Sequence, residues 1–141
     1  MNYLLTFTST TFFIPIFILF YIYGYQFFKK PYILFLSIIT FFTSLVSILN
    51  WSCPHIKYIQ FFDSCLSRLS AIIFSFFGFS FINLSLHPYF LLNWFLMILF
   101  YIFSTLFDPF NIFFYNLFHA LFHLSVSFGI FSVLLSLTIS L

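Results

Sequence analysis

Charged residues are almost missing from this chain of 141 residues, and their scarcity constrains the fold more than any other feature. The sequence holds four Lys and Arg and two Asp and Glu, while 64% of its residues are hydrophobic. So few charges cannot keep a surface of such apolarity in water. A soluble domain is therefore excluded, and so is nucleic-acid binding, which needs clustered cations.

Short polar interruptions divide the chain into apolar stretches of membrane-spanning length. About 20 helical residues cross the hydrocarbon core of a bilayer. Lys29 to Pro31 form the first interruption, and SCPHIKYIQFFD (52–63) is polar enough for an interfacial loop with an amphipathic turn. We predict an all-α, polytopic integral membrane protein that is a single transmembrane domain over 1–141 without a soluble domain. Its five predicted helices lie at about 3–28, 32–51, 64–84, 89–107 and 112–139.

The few cations do not determine an orientation in the membrane. The two lysines before Pro31 lie on one predicted side, and Lys57 with Arg68 lie on the other. The positive-inside count is therefore tied. Cys53 and Cys65 share a side, and their pairing stays open because it depends on whether that side is oxidising.

Small and hydroxyl-bearing residues recur at spacings of three and four on the second and third predicted helices. Residues at these spacings share one helix face. Because small residues let membrane helices approach closely, we predict that they pack helix against helix, with a lined pathway as the alternative. The predicted packing residues are Ser37, Thr40, Ser44 and Ser47 on the second helix and Ser67, Ala71, Ser75 and Gly78 on the third.

Two histidines within the last predicted helix are the main candidates for chemistry. His119 and His123 are spaced i, i+4, so both project from one face near the bilayer centre. Ionisable residues at that depth are costly and are functional candidates by default. The pair could ligate a metal or a haem iron or relay protons, and a neutral hydrogen-bonded pair that joins helices is the alternative.

The single arginine is a second candidate. Arg68 lies near the start of the third predicted helix, five residues after Asp63. It could pair with Asp63, hold a quinone or lipid head group, or anchor the helix at the interface. The chain carries only two acids and has no phosphate-binding loop or nucleophile motif, so no catalytic residue is predicted.

The segment 64–71 (SCLSRLSA) resembles the Ser-x-x-His-Arg-x-Ser/Thr-Gly element of the cytochrome b anchor of succinate dehydrogenase. Segments 52–58 and 115–129 resemble that family's Ser-Pro-His-Leu-x-x-Tyr and Tyr-His-x-x-x-Gly-x-Arg-His-Leu stretches. The resemblance implies Ser64 and Arg68 at a ubiquinone site and a haem b in the complex. Asn116 stands at the position of the family's haem ligand.

Helix number and composition give a second resemblance, to the small membrane subunits of respiratory complex I. Lys30-Pro31 running into ILFLSIITFF is similar to the Asn-Pro-Val opening of a helix in one of these subunits. The 29 Phe residues fit a genome biased toward U-rich codons, such as that of an organelle, with an AT-rich nuclear or viral gene as the alternative. This resemblance implies a mitochondrially encoded subunit of the inner membrane.

A third resemblance rests on four polar residues in sequence order. Ser47, Asp63 and the His119/His123 pair follow the order of the Ser, Asp and HxxxH ligands of alkaline ceramidase and its relatives. These are intramembrane zinc hydrolases, in which a zinc-bound water attacks an amide. Trp51 or its neighbour Asn50 stands where a third histidine is expected.

Our leading sequence-based hypothesis is a multi-pass subunit of a mitochondrial respiratory-chain complex, with complex I preferred. It would be structural or assist proton and quinone handling, with no activity of its own. Its expected partners are other membrane subunits and lipids such as cardiolipin, without nucleic acid. The alternatives are the complex II anchor, which contacts ubiquinone and haem, and an HxxxH zinc-dependent hydrolase; zinc is expected only in the last case.

Overall fold

The computed structural model describes residues 2–108 and 110–139, which form five helices long and apolar enough to cross a membrane. This confirms the predicted all-α, polytopic membrane architecture. The helices are α1 (Tyr3–Lys29), α2 (Pro31–Ser52), α3 (Lys57–Phe81), α4 (His87–Phe107) and α5 (Ile112–Ile139).

The third helix differs from the prediction at both ends. It begins at Lys57 rather than at about 64 and ends at Phe81 rather than at about 84. The predicted loop is therefore helical from Lys57 onward. Its polar residues Lys57, Gln60 and Asp63 recur every third residue, which a helix accommodates on one side. Polarity in this segment reflects one face of a helix and not a break in it.

The first helix changes its hydrogen-bonding pattern along its length. A 3-10 turn at Thr11–Phe13 separates two α-helical segments, and a 3-10 segment from Gly24 to Lys29 ends it. Pro15 has no N–H to donate to the carbonyl oxygen of Thr11, four residues earlier. The Ser127 hydroxyl of α5 donates to that oxygen instead, at 2.6 Å.

The central helix of the bundle is α5, which packs against each of the other four helices. In its most apolar stretch 56% of the residues are buried, against 11% in α3. At one membrane face, Asn2 joins three helices: its backbone N–H donates to the Trp51 carbonyl at 3.1 Å, and its side chain donates to Asn116 at 2.7 Å. We call this side the first face; it also carries the connection 53–56 and the end of α4 with the start of α5.

The opposite side, the second face, carries the end of α1, the connection 82–86 and the end of α5. Here α3 and α4 meet. The Phe90 ring of α4 lies over Gly78 of α3, and a side chain at position 78 would collide with that ring. Trp94 Nε1 donates to Ser75 Oγ at 3.2 Å. Toward the first face a cavity separates the two helices.

The predicted packing residues divide between helix contact and cavity. Those on α2 are buried, and Ser44 Oγ donates across to the Ser9 carbonyl at 2.9 Å. On α3, Gly78 lies in close contact with Phe90 of α4, and Ser75 accepts from Trp94 of the same helix. Three of the predicted α3 residues also line the cavity: Ser67, Ala71 and Ser75.

Cys53 and Cys65 are both free thiols, so the pairing left open by the sequence is not made in this structure. The cysteines flank the start of α3 on the first face.

Candidate functional site

A cavity of about 480 Å³ lies among α2, α3, α4 and α5. Phe12 of α1 closes part of its wall. This volume is within the range of small-molecule sites. All four residues singled out for quinone, haem or metal binding line this cavity, although they come from two helices far apart in sequence; they are Ser64, Arg68, His119 and His123.

The histidine rings of α5 contact each other edge to face, with their centroids 4.9 Å apart. Trp51 of α2 lies edge-on against His119 with a centroid distance of 5.1 Å, and Phe12 lies against His123 at 5.2 Å. The aromatic edges hold the two imidazoles in fixed orientations. His123 is 3% exposed, and so it is the deeper of the two.

The two rings differ in their hydrogen bonds. His123 Nδ1 lies 3.0 Å from Thr8 Oγ1 and 3.4 Å from Ser9 Oγ, both on α1. His119 Nδ1 is buried and has no hydrogen-bond partner among the described residues, and the same holds for Trp51 Nε1. The pair is therefore asymmetric, with one ring tied to α1 and the other held by ring contacts.

Hydroxyl groups connect the histidine pair to α2. Ser9 Oγ donates to the Leu5 carbonyl at 2.8 Å and lies 3.0 Å from Ser47 Oγ. Ser47 lines the cavity as well. Sequence reasoning missed Thr8 and Ser9, although the run TFTSTT within a membrane helix is a visible cluster of hydroxyls.

The first-face end of the cavity is polar. The Asp63 carboxylate accepts from Asn50 Nδ2 at 2.7 Å and from Ser67 Oγ at 3.4 Å. Those partners, rather than Arg68, satisfy Asp63 in the described part of the chain. Gln60 and Arg68 lie on the same wall. The proposed Asp63–Arg68 pairing is thus replaced, and the guanidinium remains available at the cavity mouth.

The deeper end of the cavity is apolar. Phe74, Phe90, Trp94 and Ile130 line it between α3, α4 and α5. Asn93 is a buried polar residue of this wall, and its amide donates to the Ser125 carbonyl at 2.9 Å. The cavity therefore runs from polar groups at the first face to apolar groups near the second.

The donor set does not fit a zinc ion. Zinc sites use three or four N, S or O ligands. Among residues 2–108 and 110–139 no group of three or more His, Cys, Asp or Glu side chains is close enough to hold a metal ion. Trp51, whose indole is not a ligand, stands against His119 where the hydrolase resemblance expects a histidine. Asp63 is engaged with Asn50 and Ser67.

The haem-ligand position of the complex II resemblance lies elsewhere. Asn116 accepts from Asn2 and is not a lining residue of the cavity. His119 and His123 are neighbours on one face of α5, so they cannot occupy opposite sides of one porphyrin.

No protein-family model, curated protein or solved structure matches this chain.

Proposed function

We propose that this chain is a multi-pass membrane protein that binds an amphiphilic lipid in the cavity among α2 to α5. The observation that carries the proposal is convergence: Ser47, Asp63 and the two histidines line one cavity from three helices. Trp51 also lines it, against His119. These are the positions of the HxxxH hydrolase resemblance, with its third histidine replaced.

The polarity of the cavity supports an amphiphile over a polar metabolite. Asp63, Arg68 and Gln60 lie at the mouth, where the head group of a bilayer lipid sits. Phe74 and Phe90 lie deeper, where an acyl chain would contact them. An acyl chain that enters the cavity from the bilayer gains little hydrophobic free energy, because both environments are apolar. The shape of the cavity and its polar mouth would therefore determine which lipid binds.

The same geometry favours binding without hydrolysis. Zinc-dependent attack on an amide requires an ion with an open coordination position, held by three protein ligands. Two histidines beside an indole supply only two such ligands. The chain would therefore hold its lipid without cleaving it.

The test is to purify the full chain in mild detergent, identify co-purifying lipids by mass spectrometry and measure zinc by elemental analysis. We expect one lipid class at near-equimolar amounts and no stoichiometric zinc. Equimolar zinc with release of a fatty acid from an added lipid amide would overturn the proposal in favour of a hydrolase.

A pair of variants locates the lipid. Ala71→Phe places a ring into the cavity, while Ile72→Phe adds a similar ring on the exposed neighbouring face of the same helix. We expect Ala71→Phe to lower the bound lipid at least about tenfold, since a filled cavity excludes its ligand. Ile72→Phe should retain it. Equal retention in both variants would place the lipid outside the cavity.

A second candidate is the quinone-handling subunit of a respiratory complex in the mitochondrial inner membrane. The observation that favours it is that Ser64 and Arg68 share the cavity with the histidine pair. A hydroxyl and a guanidinium suit the carbonyl oxygens of a quinone. Complex I remains preferred on composition and complex II on local motifs, with membrane subunits and cardiolipin as partners.

Isolation from native membranes separates the two candidates. A respiratory subunit co-migrates with a large NADH- or succinate-oxidising assembly and carries ubiquinone. A chain that migrates alone, and whose gene lies outside an organelle genome, contradicts that candidate.

A further inference from the structure

We infer that Thr8 and Ser9 of α1 set the tautomer of His123, so that its Nδ1 carries the proton and its Nε2 presents a lone pair to the cavity. In a neutral imidazole one ring nitrogen donates and the other accepts, and the partner of one nitrogen fixes the role of the other. The side chain of His123 is almost completely buried, and so is that of Thr8. Its tautomer is therefore determined by protein contacts rather than by solvent.

The hydroxyl protons of Thr8 and Ser9 are directed to a backbone carbonyl of α1. Ser9 Oγ donates to the Leu5 carbonyl at 2.8 Å, and Thr8 Oγ1 donates to the same carbonyl at 3.3 Å. These are the back-bonds that Ser and Thr make within helices. Each hydroxyl has a single proton, so both oxygens are left with lone pairs for other partners.

One ring nitrogen of His123 faces both of these oxygens. Thr8 Oγ1 and Ser9 Oγ lie 3.0 and 3.4 Å from His123 Nδ1. While both hydroxyls donate to Leu5, an unprotonated Nδ1 would set its lone pair against the lone pairs of two oxygens. It would gain a donor only if Thr8 turned its proton from the Leu5 carbonyl to the ring. A protonated Nδ1 donates to Thr8 and is attracted by Ser9 as well, so this tautomer satisfies all three atoms.

The shape of the imidazole ring determines which nitrogen of His123 a ligand can reach. Nε2 is separated from Nδ1 by Cε1 and points in a different direction, away from the α1 hydroxyls that Nδ1 faces, and His123 is a lining residue of the cavity. With Nδ1 bound to α1, Nε2 is the acceptor available to a ligand. Thr8 and Ser9 are thus positioning residues, which act on the cavity through His123.

The use of Nε2 by a ligand rests on the proposed function, whereas the tautomer itself does not. The ligand group that Nε2 can receive is a hydrogen-bond donor. His119 does not share this arrangement, because its Nδ1 has no protein partner in the described part of the chain.

The experiment is nitrogen-15 NMR on the full chain labelled at histidine and reconstituted in lipid bilayers. The His123 signals are identified by their loss in His123→Gln. We expect a one-bond proton coupling at Nδ1 of His123 and none at Nε2. A proton on Nε2 in the unmodified protein would overturn the inference, whatever lipid the protein carries.

Variants of α1 test the cause. Thr8→Val keeps the shape of the side chain but removes the hydroxyl, and we combine it with Ser9→Ala. The double variant should show a mixed or reversed tautomer, while Thr8→Ser should keep the native spectrum. An unchanged His123 spectrum in a folded double variant would contradict a positioning role; if the double variant does not fold, the unmodified protein decides alone.

Lipid retention gives a separate readout. We expect the double variant to hold the co-purifying lipid about 5- to 10-fold more weakly, the effect of one hydrogen bond. If the unmodified protein shows the expected His123 tautomer but carries no lipid, the proposed function is contradicted and the tautomer assignment stands. Native lipid affinity despite a reversed tautomer would show that Nε2 does not contact the ligand.

Discussion

Single polar side chains in this bundle bind backbone groups that the helices leave without partners. The last four carbonyls of a helix have no partner within it. Lys30 Nζ donates to two of these on α5, those of Leu137 at 3.1 Å and Thr138 at 3.2 Å. Ser136 Oγ likewise accepts from the Asn83 N–H at 2.6 Å. Lys30 thus stabilises the end of α5, and Ser136 ties the connection after α3 to the same helix.

The Lys30 contact predicts that two adjacent lysines contribute differently to the free energy of unfolding. Lys30→Met removes a cation from the negative end of α5 and should lower the free energy of unfolding by about 1 kcal/mol. Lys29→Met is the control, because Lys29 is exposed and lies over the Tyr25 ring at 5.8 Å. Unfolding by SDS in mixed micelles measures both, and equal losses would contradict the capping role.

At the level of elements, the break in α1 is matched by a residue of α5. Pro15 removes one backbone donor, and the Ser127 hydroxyl replaces it at the Thr11 carbonyl. The Ile14 N–H also reaches that carbonyl through the 3-10 turn. This turn begins two residues after Ser9, so the packing of α1 on α5 and the contacts of His123 depend on the same stretch of helix.

A double-mutant cycle tests this compensation. Ser127→Ala should destabilise the protein by about 1 kcal/mol, because a buried carbonyl loses a partner. In a Pro15→Ala background the restored N–H can bond to Thr11, so the loss should fall by at least about 0.5 kcal/mol. Ser132→Ala serves as control, since Ser132 bonds within its own helix to Phe128. Strict additivity of the Ser127 and Pro15 changes would contradict the compensation.

At the level of the whole molecule, α3 is the helix least attached to the bundle. A much smaller share of its residues is buried than in α5, and the cavity lies between it and α4. Regions with few buried contacts open at low free energy. We therefore expect α3 to be the helix that moves when the cavity fills or empties.

Distances between spin labels test this motion. After Cys53 and Cys65 are replaced by Ser, labels at the exposed residues Ile72 and Leu92 report on α3 against α4, and labels at Leu92 and Phe128 report on α5 against α4. Without bound lipid, the first pair should show the broader distance distribution, and added lipid should narrow it. Equally narrow distributions for both pairs would show that α3 is fixed.

The positions of the helices could be predicted well from the sequence, and the site could be predicted in part. Hydrophobic runs of about 20 residues can only be satisfied as helices in a bilayer, so the number of such runs gives the number of spans. The predicted start of α3 was wrong, because polar residues on one helix face look like a loop when their spacing is not weighed. A motif resemblance linked Ser64 and Arg68 to a site. The two histidines were singled out because placing ionisable side chains in a bilayer costs free energy.

The amino-acid sequence by itself determined that this protein lies in a membrane and is helical. Apolar runs of about 20 residues have the length of membrane-spanning helices, and a helix pairs its backbone groups within the run. The tertiary structure decided which residues meet. Helix order does not specify that α5 lies in the centre or that α4 diverges from α3, because such contacts depend on packing between segments far apart in sequence. Only the packed bundle therefore brings Thr8 to His123 and Trp51 to His119, and forms one cavity from four helices.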